Sequence, residues 1–308
     1  MTEPNARRGD RRLLAPIFTT EDARAVGLSS RQLARPPYER LFWGAYTRTD
    51  ALLSFADQVE FALGVVPAAE FAAQHTAAHL LGGITPRASD LHFGSRRRHK
   101  CGRRGVRLHF YKNASDLVLH KGIWMTGPAQ TYLDLAKSLE FADLLILGDS
   151  LVRRTSCTPS ELRDFVAGVT CHGARHAREV AQLVRSNVDS PNESRLRLLM
   201  VSAGLPEPMA NLTLVMPNTR RKRRVDLAYE NLKLAIEFDG RQHLEIEQWE
   251  SDILRREELE AQGWRFVVVT STELFKNPLR VLQRIVDAIE LAGGGQIEVT
   301  TGWRRHLG

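Results

Sequence analysis

Residues 225–243 read VDLAYENLKLAIEFDGRQH, and no other stretch restricts the fold of this 308-residue chain as strongly. Two β-rich runs, 224–229 and 233–238, meet at Glu230-Asn231, which predicts a hairpin. Strand side chains alternate faces, so Leu234, Ile236 and Phe238 fall on one side and Ala235, Glu237 and Asp239 on the other. Glu237 and Asp239 would then lie about 7 Å apart along one face. Pairing across the hairpin brings Asp226 within about 5 Å of that face. Crowded carboxylates raise one another's pKa unless a cation compensates, and hard oxygen donors suit Mg²⁺ or Mn²⁺. The spacing therefore predicts a divalent-metal site formed by Asp226, Glu237 and Asp239, with His243 at its rim. Solvated carboxylates on an open sheet face would give the same pattern, and Asp239-Gly240 also suits an ordinary strand-ending turn.

Around this centre the chain is long enough for two or three domains. Its formal charge of +7 is unevenly placed. Residues 1–190 hold 26 Lys/Arg against 19 Asp/Glu, whereas residues 191–308 hold 17 of each. A basic front joined to a neutral, carboxylate-bearing back suits a polyanion such as nucleic acid, although the excess also serves solubility. Cys101, Cys157 and Cys171 form no CxxC pair, which points to a reducing cytoplasm. No signal peptide or membrane span is expected, and residues 1–12 read as a flexible basic tail.

The front carries TTEDARAVGLSSRQLAR at 19–35, two short capped helices separated by Gly27 with helix-turn-helix spacing. The second helix would offer Arg31, Gln32 and Arg35 to phosphates or base edges, and 38–47 would form a small β-wing turning at Gly44. Strands are expected at 91–93, 106–111 and 123–125. The loop RRRHKCGRR at 96–104 either grips a nucleic-acid backbone or is a solvated turn. Helices are expected at 128–139, 141–153 and 158–166. Cys171, His172 and His176 lack a second pair at zinc-site distance.

Ser190-Pro191-Asn192-Glu193 opens a helix in which Ser190 and Glu193 would form a capping box. Capping alone accounts for Glu193. A strand at 210–216 follows, then a basic turn containing Arg220, Arg221, Lys222 and Arg223, which either contacts phosphate or is a solvated hairpin tip. A helix at 248–262, a buried strand at 264–270 and an amphipathic helix at 278–291 complete the pattern, with a loose tail from Gly293.

The front, with RLFWGAYTR and AQHTAAHLLGG after its helices, resembles the N-terminal winged-helix part of AbiEi-type antitoxins over residues 15–85. At the back, NESRLRLLMVSAGLPEP, VDLAYENLKLAIEFDGRQH and WESDILRREELEAQGWRFVVVT resemble the Vsr-like branch of the PD-(D/E)XK nuclease superfamily over 190–291. That resemblance implies an α/β (α+β) fold with an αβββαβ core in the last segment. It assigns Glu193, Asp226 and Glu237 as acidic site residues and His243 as a proton-transfer group, and it matches Asp252 with Arg256 to a D-x-x-x-R helix motif, with Arg256 as a DNA contact. Asp239 stands where the broader superfamily has lysine. The implied segments are 13–85 (winged helix), 86–188 (mixed α/β) and 189–292 (nuclease). The implied activity is Mg²⁺- or Mn²⁺-dependent DNA cleavage, with a homodimer allowed for. The alternative is a DNA-binding regulator of antitoxin type whose nuclease fold is inactive.

Overall fold

The computed structural model describes residues 14–99, 104–114, 116–217, 219–239 and 254–307. The chain forms two compact units, Met1–Leu135 and Ala136–Gly308. This grouping differs from the three segments expected, because strands in 86–135 share a sheet with a strand that precedes them.

The first unit begins with β1 (Ile17–Thr19), α1 (Thr20–Ala25), α2 (Ser30–Leu33), β2 (Tyr38–Phe42) and β3 (Ala45–Arg48). Thr19 and Ser29 each cap the following helix in a full capping box. Gly27, at φ +77°, makes the turn between the helices in a region where a side chain would be strained. The strands order as β1-β3-β2, all antiparallel, over a small core of Phe18, Leu28, Leu33, Tyr38 and Tyr46. Then come α3 (Phe55–Val65), β4 (Phe71–Ala72), α4 (Gln74–Leu80), β5 (Leu91–Ser95), β6 (Val106–Phe110), β7 (Leu117–His120), β8 (Ile123–Thr126) and α5 (Pro128–Leu135). These strands form a second sheet in the order β6-β5-β4-β8-β7. The very short β4 was not visible as a periodic run, yet it joins the sheet's halves. Phe71 pairs with Gly94, where an added Cβ would come within 1.9 Å of the Phe71 ring, so only glycine admits this packing.

His92 on β5 is buried, with the rings of His75 and His109 centred 5.3 and 5.0 Å away. Burial, then the neighbouring His109 and His75, push its pKa down from 6.5 to about 4; Arg107 adds to the fall and Asp90 opposes it. The folded ring stays neutral where the unfolded ring takes up a proton. Stability is therefore unaffected above pH 6.5 and is lost as pH falls from there through 4. The expected loss is about 2 kcal/mol by pH 5 and about 3 kcal/mol below pH 4. Hydrogen exchange of first-unit amides at pH 7.5 and 5 will detect it. In His92→Gln the difference should shrink, and an unchanged difference would assign it to other groups.

The second unit opens with α6 (Phe141–Arg154), α7 (Pro159–Ala167), α8 (Ala174–Ala181) and α9 (Pro191–Ser202). His176 meets the Leu139 carbonyl at 3.2 Å and packs on Phe141, a packing role rather than a metal-binding one. Next come β9 (Met209–Val215), β10 (Lys222–Tyr229), β11 (Leu234–Asp239), the helical residues 254–260 (α10), β12 (Arg265–Thr270), α11 (Ser271–Lys276), α12 (Pro278–Leu291) and α13 (Arg304–Leu307). The sheet runs β12-β11-β10-β9, with the β9–β10 and β10–β11 pairs antiparallel and the β11–β12 pair parallel. This is the αβββαβ order expected from the sequence.

Leu196, Leu199 and Met200 of α9 pack with Leu227, Leu234, Ile236, Val267, Val269 and the apolar stripe of α12 on one sheet face. Each such fully buried side chain contributes roughly 1.5–3 kcal/mol. On the other face Val225, Ala228 and Ala235 pack with Leu259 of α10 and with Trp264. The expected loose tail is corrected: Trp303 is buried in the main core, Ile297 and Val299 pack against it, and Thr300 N–H donates to the Ala203 carbonyl. Three isolated apolar residues carry too little periodicity to announce such docking. No helix among the described residues is long and apolar enough to cross a membrane.

Candidate active site

The hairpin places its carboxylates largely as alternation requires. Leu234 and Ile236 lie in the main core with Phe238 packed against it, whereas Ala235 faces the opposite cluster and Glu237 follows it. The β10–β11 ladder ends at Leu227↔Ile236. One step beyond, Phe238 N–H donates to Asp226 Oδ2 at 3.0 Å. Backbone and carboxylate thus meet where the two strands part.

Asp226 also lies at a break in the sheet. Val225↔Leu212 and Leu227↔Ala210 are paired, while Asp226 and Asn211 between them are not. Asn211 has φ +51°, a conformation that asparagine tolerates better than most residues. On either side of this break the strands exchange faces: Leu212 and Val225 belong to the α10 side, and Ala210 and Leu227 to the α9 side. Irregularities of this kind re-aim a side chain. Asp226 consequently sits where the two faces meet, between a carboxylate from α9 and one from β11.

The α9 carboxylate is Glu193, 6% exposed. Ser190 Oγ accepts its N–H at 3.2 Å, so Ser190 is the N-cap. The other half of the expected capping box is corrected. Glu193 Oε2 accepts from Asp189 N–H at 3.0 Å and from Asn211 Nδ2 at 2.7 Å. Asn211 Nδ2 also reaches the Asn187 carbonyl at 2.7 Å. These donors turn Glu193 toward the sheet break instead of back onto its own cap.

Glu237, 7% exposed, is gripped by Arg255 of α10, with Nη1–Oε1 at 2.5 Å and Nη2–Oε2 at 3.2 Å. Arg255 Nη1 also donates to the Arg224 carbonyl at 2.8 Å. Arg256 stands 3.7 Å from Glu237 Oε2 and lies over the Phe266 ring at 5.0 Å. Burial foremost, then the charges of Glu193 and Glu237, push the Asp226 pKa from 3.8 to about 6; the Phe238 N–H and Arg255 oppose the rise. The centre therefore remains short of positive charge despite Arg255.

Asp226, Glu193 and Glu237 are thus brought into electrostatic range of one another. The expected ligand trio is not assembled: among the described residues no group of three or more His, Cys, Asp or Glu side chains is arranged to hold one ion. Arg255 occupies both oxygens of Glu237, and Asp239 lies two residues further along β11, beside Thr270. The donor chemistry of Asp226 and Glu237 still fits a hard divalent cation, since both are carboxylates in a region of excess negative charge. His243, Arg241 and Asp252 lie outside the described residues.

The expected DNA contacts are divided. Arg31 and Arg35 are exposed, with Arg35 just beyond the four-residue α2. Gln32 is corrected in part: its Oε1 is engaged by Ser29 N–H and Oγ, both at 2.8 Å, as the return arm of a cap. Arg220, Arg221 and Lys222 are exposed, but Arg223 pairs with Glu258 at 2.6 Å. Asn211 and Arg255 were missed. An asparagine inside a strand was a usable signal for the first. Helix phase selects Arg255 over Arg256 for the closer grip, and the arginine pair alone did not reveal that.

The sequence comparisons bear on the C-terminal region. Residues 213–289 match the model of the REase_MTES_1575 family, which is restriction-endonuclease-like. The C-terminal region therefore holds a restriction-endonuclease-like domain. The chain is 28% identical over 173 residues to two uncharacterized Mycobacterium tuberculosis proteins, MT2308 and Rv2248, covering 54% of this chain and 64% of each relative. An uncharacterized Haemophilus influenzae protein is 42% identical over 66 residues, which is 21% of this chain and 41% of that protein.

Proposed function

We propose that this protein is a metal-dependent DNA endonuclease, with its basic front engaging DNA as a winged helix and its last domain hydrolysing phosphodiester bonds. The observation that carries the reading is Asp226. It is a carboxylate placed at a sheet break between two others, in a domain that matches a restriction-endonuclease-like family. Asp226 and Glu237 would hold Mg²⁺ or Mn²⁺. When bound, the ion would activate water and stabilise charge on the scissile phosphate. Glu193, fixed by Asp189 N–H and Asn211, would orient the attacking water. Arg255 would supply the positive charge that Asp239 cannot supply at the superfamily's lysine position. His243 is proposed for proton transfer. Arg31, Arg35 and the exposed Arg220–Lys222 turn would contact phosphates.

The same Arg255 contact favours a second reading. With both Glu237 oxygens occupied, the domain would serve as an inactive scaffold in a DNA-binding regulator of antitoxin type. Incubation of supercoiled plasmid with and without Mg²⁺ separates the two. Nicking that requires the ion supports the endonuclease. Salt-sensitive DNA binding without cleavage under Mg²⁺ or Mn²⁺ supports the regulator.

A further inference from the structure

At the edge of the second sheet in the first unit, the residues leaving β5 turn beside β6 and enclose a pocket of about 420 Å³. Its walls are Arg97, Arg98, His99, Leu108, His109 and Phe110, with no carboxylate among them. The start of the segment is anchored. Arg96 donates its N–H to Glu70 Oε1 and its Nη1 to Glu70 Oε2, each at 2.8 Å, and Arg97 N–H bonds Ser95 Oγ at 3.1 Å. Arg96 is thereby used up in holding the chain to the sheet. Arg97 and Arg98 pair with no carboxylate among the described residues.

The Arg98 guanidinium lies 4.6 Å from the centre of the Phe110 ring, and Phe110 is 43% exposed although it ends a strand. His109, the residue before it on β6, is held by Gln74 Nε2 at 3.0 Å and by His92 at 3.1 Å, which anchors this end of the strand. A fixed pocket with an open aromatic ring and two uncompensated guanidinium groups matches a partner that combines flat rings with closely spaced negative charge. Single-stranded nucleic acid has both. In a duplex the base faces are covered by their stacking neighbours, so the ring of Phe110 would gain nothing from them. An acidic peptide offers the charge without the rings.

We propose that Arg97, Arg98 and Phe110 form a single-strand nucleic-acid platform, in which Phe110 stacks on an unpaired base and the two arginines hold the flanking phosphates. The platform lies outside the restriction-endonuclease-like domain, and its operation needs neither metal nor cleavage.

The test is fluorescence anisotropy of the full chain in EDTA, with labelled oligo(dT), a hairpin duplex and poly-glutamate as probes. Oligo(dT) should bind more tightly than poly-glutamate, and duplex binding through the winged helix should not depend on Phe110. Phe110→Leu, which keeps an apolar side chain at an exposed position, should weaken oligo(dT) by about tenfold, the scale of one lost base–aromatic stack. The double variant Arg97→Gln/Arg98→Gln should weaken it and flatten the slope of log K against log salt by about 1.4, two single-strand phosphate contacts. Arg175→Gln, an exposed charge in the second unit, should change neither. The proposal is overturned if Phe110→Leu binds oligo(dT) as wild type does or weakens the duplex by the same factor, if Arg175→Gln weakens binding as much as the double variant, or if poly-glutamate binds more tightly than oligo(dT). Because divalent metal is absent, loss of the endonuclease reading would leave this result intact.

Discussion

Asp226→Asn is expected to silence Mg²⁺-dependent nicking and, at the same time, to make the second unit more stable. The activity loss should reach at least about 10²–10³-fold, the scale of removing one pre-organised group that stabilises developing charge. The stability gain follows from where the carboxyl sits. Its folded pKa is pushed up to about 6 from an ordinary value of 3.8, with burial as the leading cause. A group raised in this way favours the fold below pH 3.8, and that advantage disappears as pH rises through 6. Above pH 7 the ionised Asp226 should therefore cost about 2–3 kcal/mol relative to a neutral isostere. Asparagine keeps the oxygen that accepts from Phe238 N–H and removes the charge facing Glu193 and Glu237. Thermal melts at pH 7.5 and 4 provide the check. The variant should melt higher than wild type at pH 7.5 and about equally at pH 4. Equal melting at pH 7.5, or retained nicking, would remove Asp226 from the centre of the site. A residue that destabilises the fold while serving chemistry is a usual compromise at functional sites.

Arg197→Met is expected to have the largest effect on folding. Arg197 is 1% exposed and lies in α9, four residues after Glu193. Its guanidinium meets Asp149 Oδ2 of α6 at 3.0 Å and Glu207 at 3.2 Å. Asp149 is buried as well and accepts from Arg185 N–H and Ser194 Oγ, both at 2.7 Å. Burial pushes the Asp149 carboxyl upward, and Arg197 is the foremost group holding it down. Removing one member of such a pair strands the other charge in the interior and costs about 3–5 kcal/mol. For a unit of this size the melting temperature should fall on the order of 10 °C. The double variant Asp149→Asn/Arg197→Met should recover a large part of that loss, since no charge is then left unpaired. Recovery of nothing would mean that Arg197 acts through packing alone. The pair joins α6 to the helix that carries Glu193, so the single variant should also loosen the site.

Most of the second unit was legible because its signals are local. Alternation in 234–238 placed Leu234 and Ile236 in the core and Glu237 on the opposite face. Ser190 and Pro191 marked the start of α9, and the apolar stripe of 278–291 marked α12 to the residue. In the first unit Thr19, Ser29, Gly27 and Gly44 marked the two small helices and the hairpin turn. β4 escaped notice because two residues carry no period, and the docking of Trp303 escaped because its partners lie about a hundred residues upstream.

What the sequence determined alone was the order of elements from α9 to α12 and the facing of the side chains in 234–238, for these follow from backbone periods of 2 and 3.6 residues and from capping chemistry. Which charges meet was decided only by the tertiary structure. Asn211 takes a left-handed backbone, the sheet changes face beside it, and Asp226 is set between Glu193 and Glu237. Arg255 rather than Arg256 then closes bidentately on Glu237, because helix phase and packing distance select one of two adjacent arginines. Electrostatic energy depends on separation and burial in space, and neither is written in the spacing of residues along the chain.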